Sequence, residues 1–345
     1  MIQDPFRSMI RSEGVLRYRD LPWRRTRDPY RIWLSEIMLQ QTRVEAVKGY
    51  YARFLSELPD IAALAACEEN RLTKLWEGLG YYSRVRNLQK AARVIMVQHG
   101  GAFPRKYAEI RALPGVGDYT AGAVASICFD VPEPAVDGNV LRVLSRVTQD
   151  TAPPAVKKAY ETALRPVYAA NPGKRSELTQ ALMELGACVC VPNGAPKCDA
   201  CPLRTVCLAE KSGAWASLPV KEAKKPRRIE EKTVFFLQCG GQYAVRKRPE
   251  TGLLAGLWEL PNVEGTLDAQ QALALLDSWG LVPEELTRTR ERTHIFTHVE
   301  WRMRCYDIRV SMPADSFTWV SGTRFQQDIA LPTAFRIFWQ PEEPA

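Results

Sequence analysis

Four cysteines within one short stretch carry the clearest chemical signal in this 345-residue sequence. Cys190, Cys198, Cys201 and Cys207 are spaced C-x7-C-x2-C-x5-C, and four thiolates so placed can bind a tetrahedral zinc ion or a [4Fe–4S] cluster. Zinc ribbons usually carry two CxxC pairs and this stretch has one, which favours iron–sulfur and leaves zinc open. The total of nine cysteines is odd, which argues against a disulfide framework, and the scattered five are predicted to be core residues.

A turn with the sequence LPGVG joins two helix-like segments, residues 106–112 and 118–129. Gly115 and Gly117 allow a tight bend, so backbone N–H groups and the following helix N-terminus can face a phosphate without a side chain between them. This pattern is typical of a helix-hairpin-helix that binds DNA without reading its sequence. An ordinary turn between two helices is the alternative.

Two carboxylates have the settings that acid–base chemistry requires. Glu36 is predicted on a helix whose same face carries Ile32, Trp33 and Leu39, so desolvation should raise its pKa towards that of a general acid near neutral pH. Asp137 follows apolar residues and precedes a helix. A solvated rim glutamate and a helix-capping aspartate are the alternatives for these two residues.

The elements that position these residues follow from apolar spacing and from proline and glycine breaks. Residues 28–212 read as all-α, with one helix beginning at Asp28 and Pro29 and running through Val44, and another capped by Asn139. Residues 213–232 are predicted to be a charged interdomain linker. Residues 233–345 read as α+β, with a hairpin at 233–245, strands at 294–299, 301–310 and 317–320, and a helix at 268–276.

Composition limits the class of protein. The chain is 46% hydrophobic and 25% charged, which excludes a disordered or collagen-like chain, and its net charge of +8 suits a polyanionic partner. No apolar run approaches the roughly 18 residues that span a bilayer, and the first residues lack the apolar stretch of a signal peptide. We therefore expect a soluble, intracellular protein.

Taken in order, the glutamate, the hairpin, the aspartate and the cysteines resemble the endonuclease III superfamily of DNA glycosylases. Within it, the chain closely resembles the adenine DNA glycosylase (MutY) family. The segments that carry the resemblance are LPWR at 21–24, WLSEIMLQQT at 33–42, WEGLGYYSR at 76–84, LPGVG, DGNV at 137–140, the cysteine stretch, GLWELP at 256–261 and FTH at 296–298. The likeness covers nearly the whole chain.

The resemblance implies a multi-domain fold: an all-α helix-hairpin-helix glycosylase domain at 1–212 with a cluster loop at 190–207, a linker at 213–232, and an α+β Nudix-like domain at 233–345 that recognises 8-oxoguanine. It implies an enzyme of base excision repair that flips adenine out of A:8-oxoguanine or A:G mispairs in double-stranded DNA, removes it by hydrolysis and leaves an abasic site. The implied cofactor is a [4Fe–4S] cluster. A monomer in the bacterial cytosol, associated with the nucleoid and not with a membrane, is expected.

The resemblance also implies roles for individual residues. Glu36 would protonate adenine and Asp137, kept ionised, would stabilise the sugar cation, while Tyr119 and Asn139 would hydrogen-bond to these two carboxyl groups. The DNA-contacting residues implied are Arg24 and Gln180 for adenine, Gln41 and Tyr81 within the duplex, Thr42 and Leu79 at 8-oxoguanine, Gly115 and Gly117 at phosphate, and the recognition loop Phe296, Thr297 and His298.

Several positions depart from relatives. Tyr119 stands where strand-cleaving relatives have a lysine, and a phenol cannot form a Schiff base, so the chain is predicted to lack lyase activity. The first cysteine gap is x7 where the family usually has x6, and Thr297 replaces a serine. No acidic Nudix helix follows residue 261, so the second domain is predicted to be a binding domain without nucleotide pyrophosphatase activity. The rival hypotheses are a non-catalytic DNA-binding protein with a structural metal, a Nudix hydrolase, and a glycosylase for oxidised pyrimidines.

Overall fold

The computed structural model describes residues 19–151, 157–220 and 226–339, and these form two compact units. The first unit comprises residues 19–67, 83–151 and 157–220, and the second comprises residues 68–82 and 226–339. Within these ranges, no helix has the length and apolar character needed to span a membrane.

The helices, in chain order, are α1 (Pro29–Met38), α2 (Val44–Glu57), α3 (Ile61–Ala66), α4 (Glu69–Leu75), α5 (Ser83–Gln98), α6 (Tyr107–Arg111), α7 (Asp118–Phe129), α8 (Gly138–Thr148), α9 (Lys157–Ala169), α10 (Arg175–Cys188), α11 (Leu208–Ser212), α12 (Ala269–Ser278), α13 (Gly322–Gln327) and α14 (Thr333–Arg336). The described part of the first unit contains helices and no strand, which confirms the all-α prediction.

The helix that carries Glu36 begins as the sequence predicts and ends sooner. The Asp28 side chain accepts a hydrogen bond from the backbone N–H of Arg31 at 3.0 Å, and Pro29 occupies the first helical position. The prediction that this helix continues through Val44 is wrong. It ends at Met38, because Gln41 adopts a left-handed conformation with φ of 56° and the chain turns before α2.

The helix α8, which follows Asp137, also differs from the prediction in the residue that caps it. Asp137, and not Asn139, caps α8, because its carboxylate accepts the backbone N–H of Val140 at 2.7 Å. The segment before α8 packs closely against α7. A Cβ on Gly122 of α7 would lie 2.4 Å from the carbonyl oxygen of Pro134. Only glycine permits this approach, which brings the segment before Asp137 against α7.

The second unit is built on a seven-stranded mixed sheet. Its strands are β1 (Arg228–Cys239), β2 (Gln242–Lys247), β3 (Trp258–Glu259), β4 (Asn262–Glu264), β5 (Pro283–Ile295), β6 (Val299–Val310) and β7 (Thr318–Ser321). The order is β3-β2-β1-β6-β5, with β4 against β1 and β7 against β2. β1 and β6 are parallel, and the other pairs are antiparallel.

Alternating side chains of β1 supply two cores, one on each face of the sheet. Phe236 packs with Trp301 and Phe335 on one face, and Phe235 packs with Tyr306 and Leu276 of α12 on the other. Together these layers give the predicted α+β architecture.

The strand boundaries differ from the prediction in two places. β1 begins at Arg228, inside the predicted linker, because residues 228–238 pair with β6. The predicted strand at 294–299 is wrong, since residues 296–298 form the turn between β5 and β6. The charged centre of the predicted linker, residues 221–225, lies outside the described residues.

A short stretch from the helical half of the sequence belongs to the second unit. Lys74 Nζ donates to the carbonyl oxygen of Ile329 at 3.0 Å, and Glu77 Oε1 accepts the N–H of Leu331 at 2.9 Å. Trp258 Nε1 donates to Asn70 Oδ1 at 3.4 Å. Residues 68–82 therefore pack with the sheet, although the sequence places them among the helices of the first unit.

Candidate active site

Glu36 lies on the buried face of α1 with a side chain that is 2% exposed. The Tyr119 hydroxyl, from α7, donates a hydrogen bond to Glu36 Oε2 at 2.5 Å. Burial raises the pKa of Glu36, opposed by the Arg24 charge and the Tyr119 bond, and the charge of Asp137 raises it further. The pKa of Tyr119 is raised well above its ordinary value by burial and by both carboxylates, so its phenol remains a neutral donor.

Asp137 is half-buried at the N-terminus of α8 and is better solvated than Glu36. Besides the Val140 N–H, it accepts a bond from Asn139 Nδ2 at 2.8 Å. Burial raises the pKa of Asp137, while these hydrogen bonds oppose the increase and favour the ionised form. The two carboxyl groups therefore sit in unequal environments, one dry and one hydrogen-bonded at a helix N-terminus.

A second glycine sets the distance between α8 and α10. A Cβ on Gly186 would lie 2.6 Å from the Cβ of Asn139, so only glycine allows α10 to approach the start of α8 this closely. The backbone of α10 at Gly186 therefore packs directly against Asn139, which hydrogen-bonds to Asp137.

Arg24 and Gln180, the two residues implied for adenine, line one cavity of about 310 Å³. Gln180 is buried and its Nε2 donates to Ser176 Oγ at 2.9 Å. Arg24 Nη2 donates to Glu184 Oε1 at 3.2 Å, while its buried Nε has no partner among the described residues. Arg24 therefore lines the cavity while one of its guanidinium N–H groups is buried without a hydrogen-bond partner among the described residues.

Glu184 is a buried residue of this cavity that the sequence did not reveal. It accepts two bonds from Arg19, at 2.7 and 2.8 Å, in addition to the bond from Arg24. Burial raises the pKa of Glu184, but the two arginines outweigh burial and hold it below its ordinary value. The glutamate therefore stays ionised and fixes Arg24 beside Glu36. Its place on a helix far along the chain gave no local signal.

The hairpin turn is shaped by its two glycines and by one arginine. Gly115 adopts φ of 74°, and a Cβ there would lie 2.6 Å from Asn87 Cβ, so the position requires glycine. Gly117 caps α7 and has open space where a Cβ would stand. Arg111 bridges the turn by bonding to Asp118 Oδ1 at 2.6 Å and to the carbonyl oxygen of Val116 at 2.9 Å.

The loop with Gln41 and Thr42 is fastened by a buried arginine that the sequence analysis missed. Arg84 Nη1 donates to the carbonyl oxygens of Ile37, Met38 and Gln40, and its Nη2 donates to Thr42 Oγ1 at 3.3 Å. Gln41 itself is exposed. The loop between α1 and α2 thus presents a polar side chain from a rigid base.

In the second unit, two residues predicted to contact DNA lie together although 216 positions separate them. Tyr81 is 47% exposed, has a left-handed backbone with φ of 49°, and its hydroxyl hydrogen-bonds to Thr297 Oγ1 at 2.9 Å. Leu79 is buried, and Thr297 and His298 are exposed at the turn. Phe296 is half-buried between His294 and Trp301, with ring centroids 4.6 and 4.8 Å away, so it anchors the turn.

The four clustered cysteines line one cavity beside α8 and α10. Arg146 Nη1 lies 3.3 Å from Cys190 Sγ, and Arg142 Nε donates to the carbonyl oxygen of Cys190 at 2.8 Å. Cys188, two residues earlier, instead lies against Glu184. In the described ranges, no three His, Cys, Asp or Glu side chains are arranged to bind a single metal ion.

Arg142 also joins the cysteine loop to the aspartate side of the site, and sequence reasoning missed it. Its Nη2 donates to Asn139 Oδ1 at 2.9 Å and to the carbonyl oxygen of Gly186 at 2.7 Å. Asn139 accepts through its oxygen and can therefore present its amide N–H to Asp137. The sequence did contain one signal for this role, since Arg142 follows the candidate residue Asn139 by one helical turn.

A buried glutamate and a hydrogen-bonded aspartate beside a helix-hairpin-helix define a DNA glycosylase of base excision repair. Residues 34–168 match the family model described as HhH-GPD superfamily base excision DNA repair protein, and residues 233–340 match the NUDIX domain model. Among solved structures, a thermostable thymine-DNA glycosylase is 29% identical, with a TM-score of 0.53 over 60% of this chain and 94% of that one.

The relatives narrow this class. An adenine DNA glycosylase of Mus musculus is 34% identical over 96% of this chain and 78% of its own length, and one of Homo sapiens is 33% identical over 98% and 74%. The chain belongs to the adenine DNA glycosylase family, which confirms the resemblance seen in the sequence. It is an N-glycosylase that removes adenine from DNA in base excision repair.

Proposed function

We propose that the chain excises adenine opposite 8-oxoguanine, and opposite guanine, by acid-assisted cleavage of the N-glycosidic bond, leaving an abasic site. The observation that carries this proposal is the buried Glu36 whose Oε2 receives the Tyr119 hydroxyl at 2.5 Å. A carboxyl group in such a setting is protonated more readily than a solvated one and can deliver its proton to a purine ring nitrogen.

Protonated adenine is a better leaving group, and its departure places positive charge on the sugar. Asp137, with two hydrogen bonds that favour its ionised form, would stabilise this charge. Arg24 and Gln180 would hold the flipped base in the cavity that they line. All these groups come from one chain, so the reaction requires no second copy and we propose a monomer.

The preference for 8-oxoguanine is assigned, within the second unit, to Leu79, Tyr81, Thr297 and His298. Gln41 and Thr42 of the first unit are proposed as DNA contacts of that unit. The hydrogen bond between Tyr81 and Thr297 supports this assignment, because it fixes an exposed aromatic ring beside a hydroxyl at the recognition turn. An aromatic ring can stack on a base while the hydroxyl reads its edge. Gly115 and Gly117 would meet a backbone phosphate through their N–H groups.

We infer that the chain has no strand-cleaving activity. The hairpin position that would need an amine carries Tyr119, and its phenol is engaged with Glu36. Lys157 does place its Nζ 5.9 Å from the Tyr119 ring centroid, so the test must include it. Borohydride present during turnover should trap no stoichiometric protein–DNA adduct, either in the native chain or in Lys157→Ala.

For the cofactor, we propose that Cys190, Cys198, Cys201 and Cys207 hold a [4Fe–4S] cluster. The donor set fits: four sulfurs surround one cavity, and Arg146 places positive charge at Cys190 where an anionic cluster would need it. When bound, the cluster would crosslink the loop that Arg142 and Arg146 attach to α8.

A glycosylase assay on defined duplexes tests the function. We expect release of free adenine from A:8-oxoguanine and A:G duplexes, none from A:T, and no strand cleavage before alkali treatment. A visible absorption spectrum of the same preparation tests the cofactor, since a colourless protein containing zinc would overturn the cluster assignment. The mispair assignment would be wrong if adenine were released only from duplexes whose damaged base lies in the same strand as the adenine.

A further inference from the structure

Backbone hydrogen bonds hold both ends of the recognition turn at residues 296–298. A peptide unit is planar, so a hydrogen bond to its N–H or to its C=O restricts the orientation of the whole unit. The unit that enters the turn is held because the Phe296 N–H donates to the carbonyl oxygen of Val299 at 2.8 Å. The unit that leaves the turn is held because the carbonyl oxygen of His298 accepts the backbone N–H of Arg228 at 3.0 Å.

The peptide unit between Phe296 and Thr297 is held differently, by a side chain from outside the turn. Arg227 Nε donates to the carbonyl oxygen of Phe296 at 3.1 Å. This peptide unit ends at the Cα of Thr297, so the hydrogen bond restricts the backbone from which the Thr297 side chain projects.

The sheet itself explains why a side chain is used at this point. The parallel pairing of β1 with β6 begins with Arg228 opposite Val299. Arg227 precedes this pairing, and its side chain provides the next hydrogen bond to the turn. Arg227 is exposed, and ordering a long exposed side chain costs conformational entropy. The contact therefore has a cost, which a role in shaping the turn would explain.

Thr297 is restrained at both ends as a result. Its Oγ1 shares a hydrogen bond of 2.9 Å with the Tyr81 hydroxyl, and its backbone is restrained through the carbonyl group that Arg227 binds. A hydroxyl that distinguishes one base from another must be placed accurately before the base arrives, because a displaced group binds both bases about equally well.

We infer that Arg227 is a positioning residue for recognition of the base opposite adenine. It acts through the Phe296 carbonyl group on the orientation of Thr297, and it takes no part in the chemistry of Glu36 and Asp137. This inference rests on the proposed recognition of 8-oxoguanine by the turn. It adds that the end of the segment between the two domains contributes to specificity.

Single-turnover rates of adenine release on A:8-oxoguanine and A:G duplexes test this role in the full chain. Arg227→Lys keeps the positive charge but has no N–H at the Nε position. We expect it to lower the ratio of the two rates about three- to tenfold, mainly through a slower reaction on A:8-oxoguanine. A loss of folded protein would lower both rates equally, so a purely structural defect leaves the ratio unchanged.

Arg228→Ala is the matched control. It removes the neighbouring exposed arginine side chain but keeps the backbone N–H that binds His298, so the native ratio should be retained. Thr297→Ala combined with Arg227→Lys should lower the ratio by less than the product of the two single effects, because both changes act on one hydroxyl group. Independent effects of the two changes would contradict the inference.

The other outcomes separate this inference from the proposed function. A native ratio in Arg227→Lys overturns the inference alone, and it does so also if Arg227→Ala weakens binding to both duplexes equally, since Arg227 would then serve as a phosphate contact. Equal rates of the native chain on the two duplexes would overturn the proposed recognition of 8-oxoguanine and, with it, the role of Arg227.

Discussion

Arg142 donates a hydrogen bond to Asn139 at 2.9 Å, and Asn139 in turn donates to Asp137 at 2.8 Å. The same guanidinium bonds to the carbonyl oxygen of Cys190. One arginine therefore orients the amide that hydrogen-bonds to Asp137, the proposed stabiliser of the sugar cation, and also contacts the cysteine loop. Arg142 is a positioning residue in this arrangement.

Arg142→Met should lower the single-turnover rate of adenine release. A buried charge-assisted hydrogen bond contributes about 1.5–3 kcal/mol, so a loss of roughly 10- to 100-fold is expected if most of it acts in the transition state. Asp137 loses a support for its ionised form, so the acidic limb of the pH–rate profile should move to higher pH. A rate loss with an unchanged profile would reduce Arg142 to a purely structural residue.

Glu36→Gln should abolish adenine release while leaving mispair affinity unchanged, since general-acid catalysis contributes about 100- to 10,000-fold. Single-turnover assays and gel-shift titrations on the same duplex measure the two properties. Retained turnover would refute the acid assignment.

The same substitution should stabilise the protein at neutral pH. Burial raises the pKa of Glu36 in the folded state, so between its unfolded and folded pKa values the folded protein binds more protons than the unfolded one. Stability then falls as pH rises through this window, and glutamine removes the penalty. Thermal unfolding measured as a function of pH should show that the unfolding temperature of the variant rises relative to that of the native chain as pH increases above the ordinary glutamate pKa. Parallel curves would contradict this.

Tyr119→Phe should move the basic limb of the pH–rate profile to higher pH. The phenol bond favours ionised Glu36, so its removal raises the glutamate pKa and keeps the acid protonated further up the scale. The maximal rate should fall because the carboxyl group is less well oriented. A basic limb shifted to lower pH would show that the phenol acts through another group.

Tyr81→Phe and Thr297→Ala should each reduce discrimination between A:8-oxoguanine and A:G. Because the two hydroxyls share one hydrogen bond, the double variant should lose less than the sum of the single losses. Thr289→Ala, an exposed β5 threonine seven residues before the turn, is the control. Fully additive losses would mean that the two residues act independently.

Cys190→Ser and Cys188→Ser form a matched pair for the cofactor. Cys190 lines the cavity with the other three cysteines, whereas Cys188 lies against Glu184. We expect Cys190→Ser to lose visible absorbance and bound iron, and Cys188→Ser to keep both. The reverse result would transfer the fourth ligand to Cys188.

Local signals predicted the elements that carry the site. Asp28 with Pro29 marked the start of α1, the glycines of LPGVG marked the hairpin, and Gly240 with Gly241 marked the turn between β1 and β2. The sequence erred where a local preference competed with a neighbouring one. At the start of α8 both Asp137 and Asn139 can cap, and only the structure shows that the aspartate does so.

Long-range partnerships could not be predicted from spacing. Glu184 meets Arg19 from 165 positions away, and Tyr81 meets Thr297 from 216. Such contacts depend on how elements pack, and no period or motif in a single sequence encodes them. The family resemblance supplied Tyr81 and Thr297 individually, but their hydrogen bond required coordinates.

Residues 68–82 leave the helical unit, pack with the sheet, and return at α5, so the polypeptide passes between the units three times. If the backbone were cut once between residues 220 and 226, residues 68–82 would still be covalently part of the N-terminal fragment. They would nevertheless pack with the sheet, which belongs to the C-terminal fragment. The two units therefore cannot be separated by one cut in the sequence. A protein engineered to contain the sheet must also contain residues 68–82.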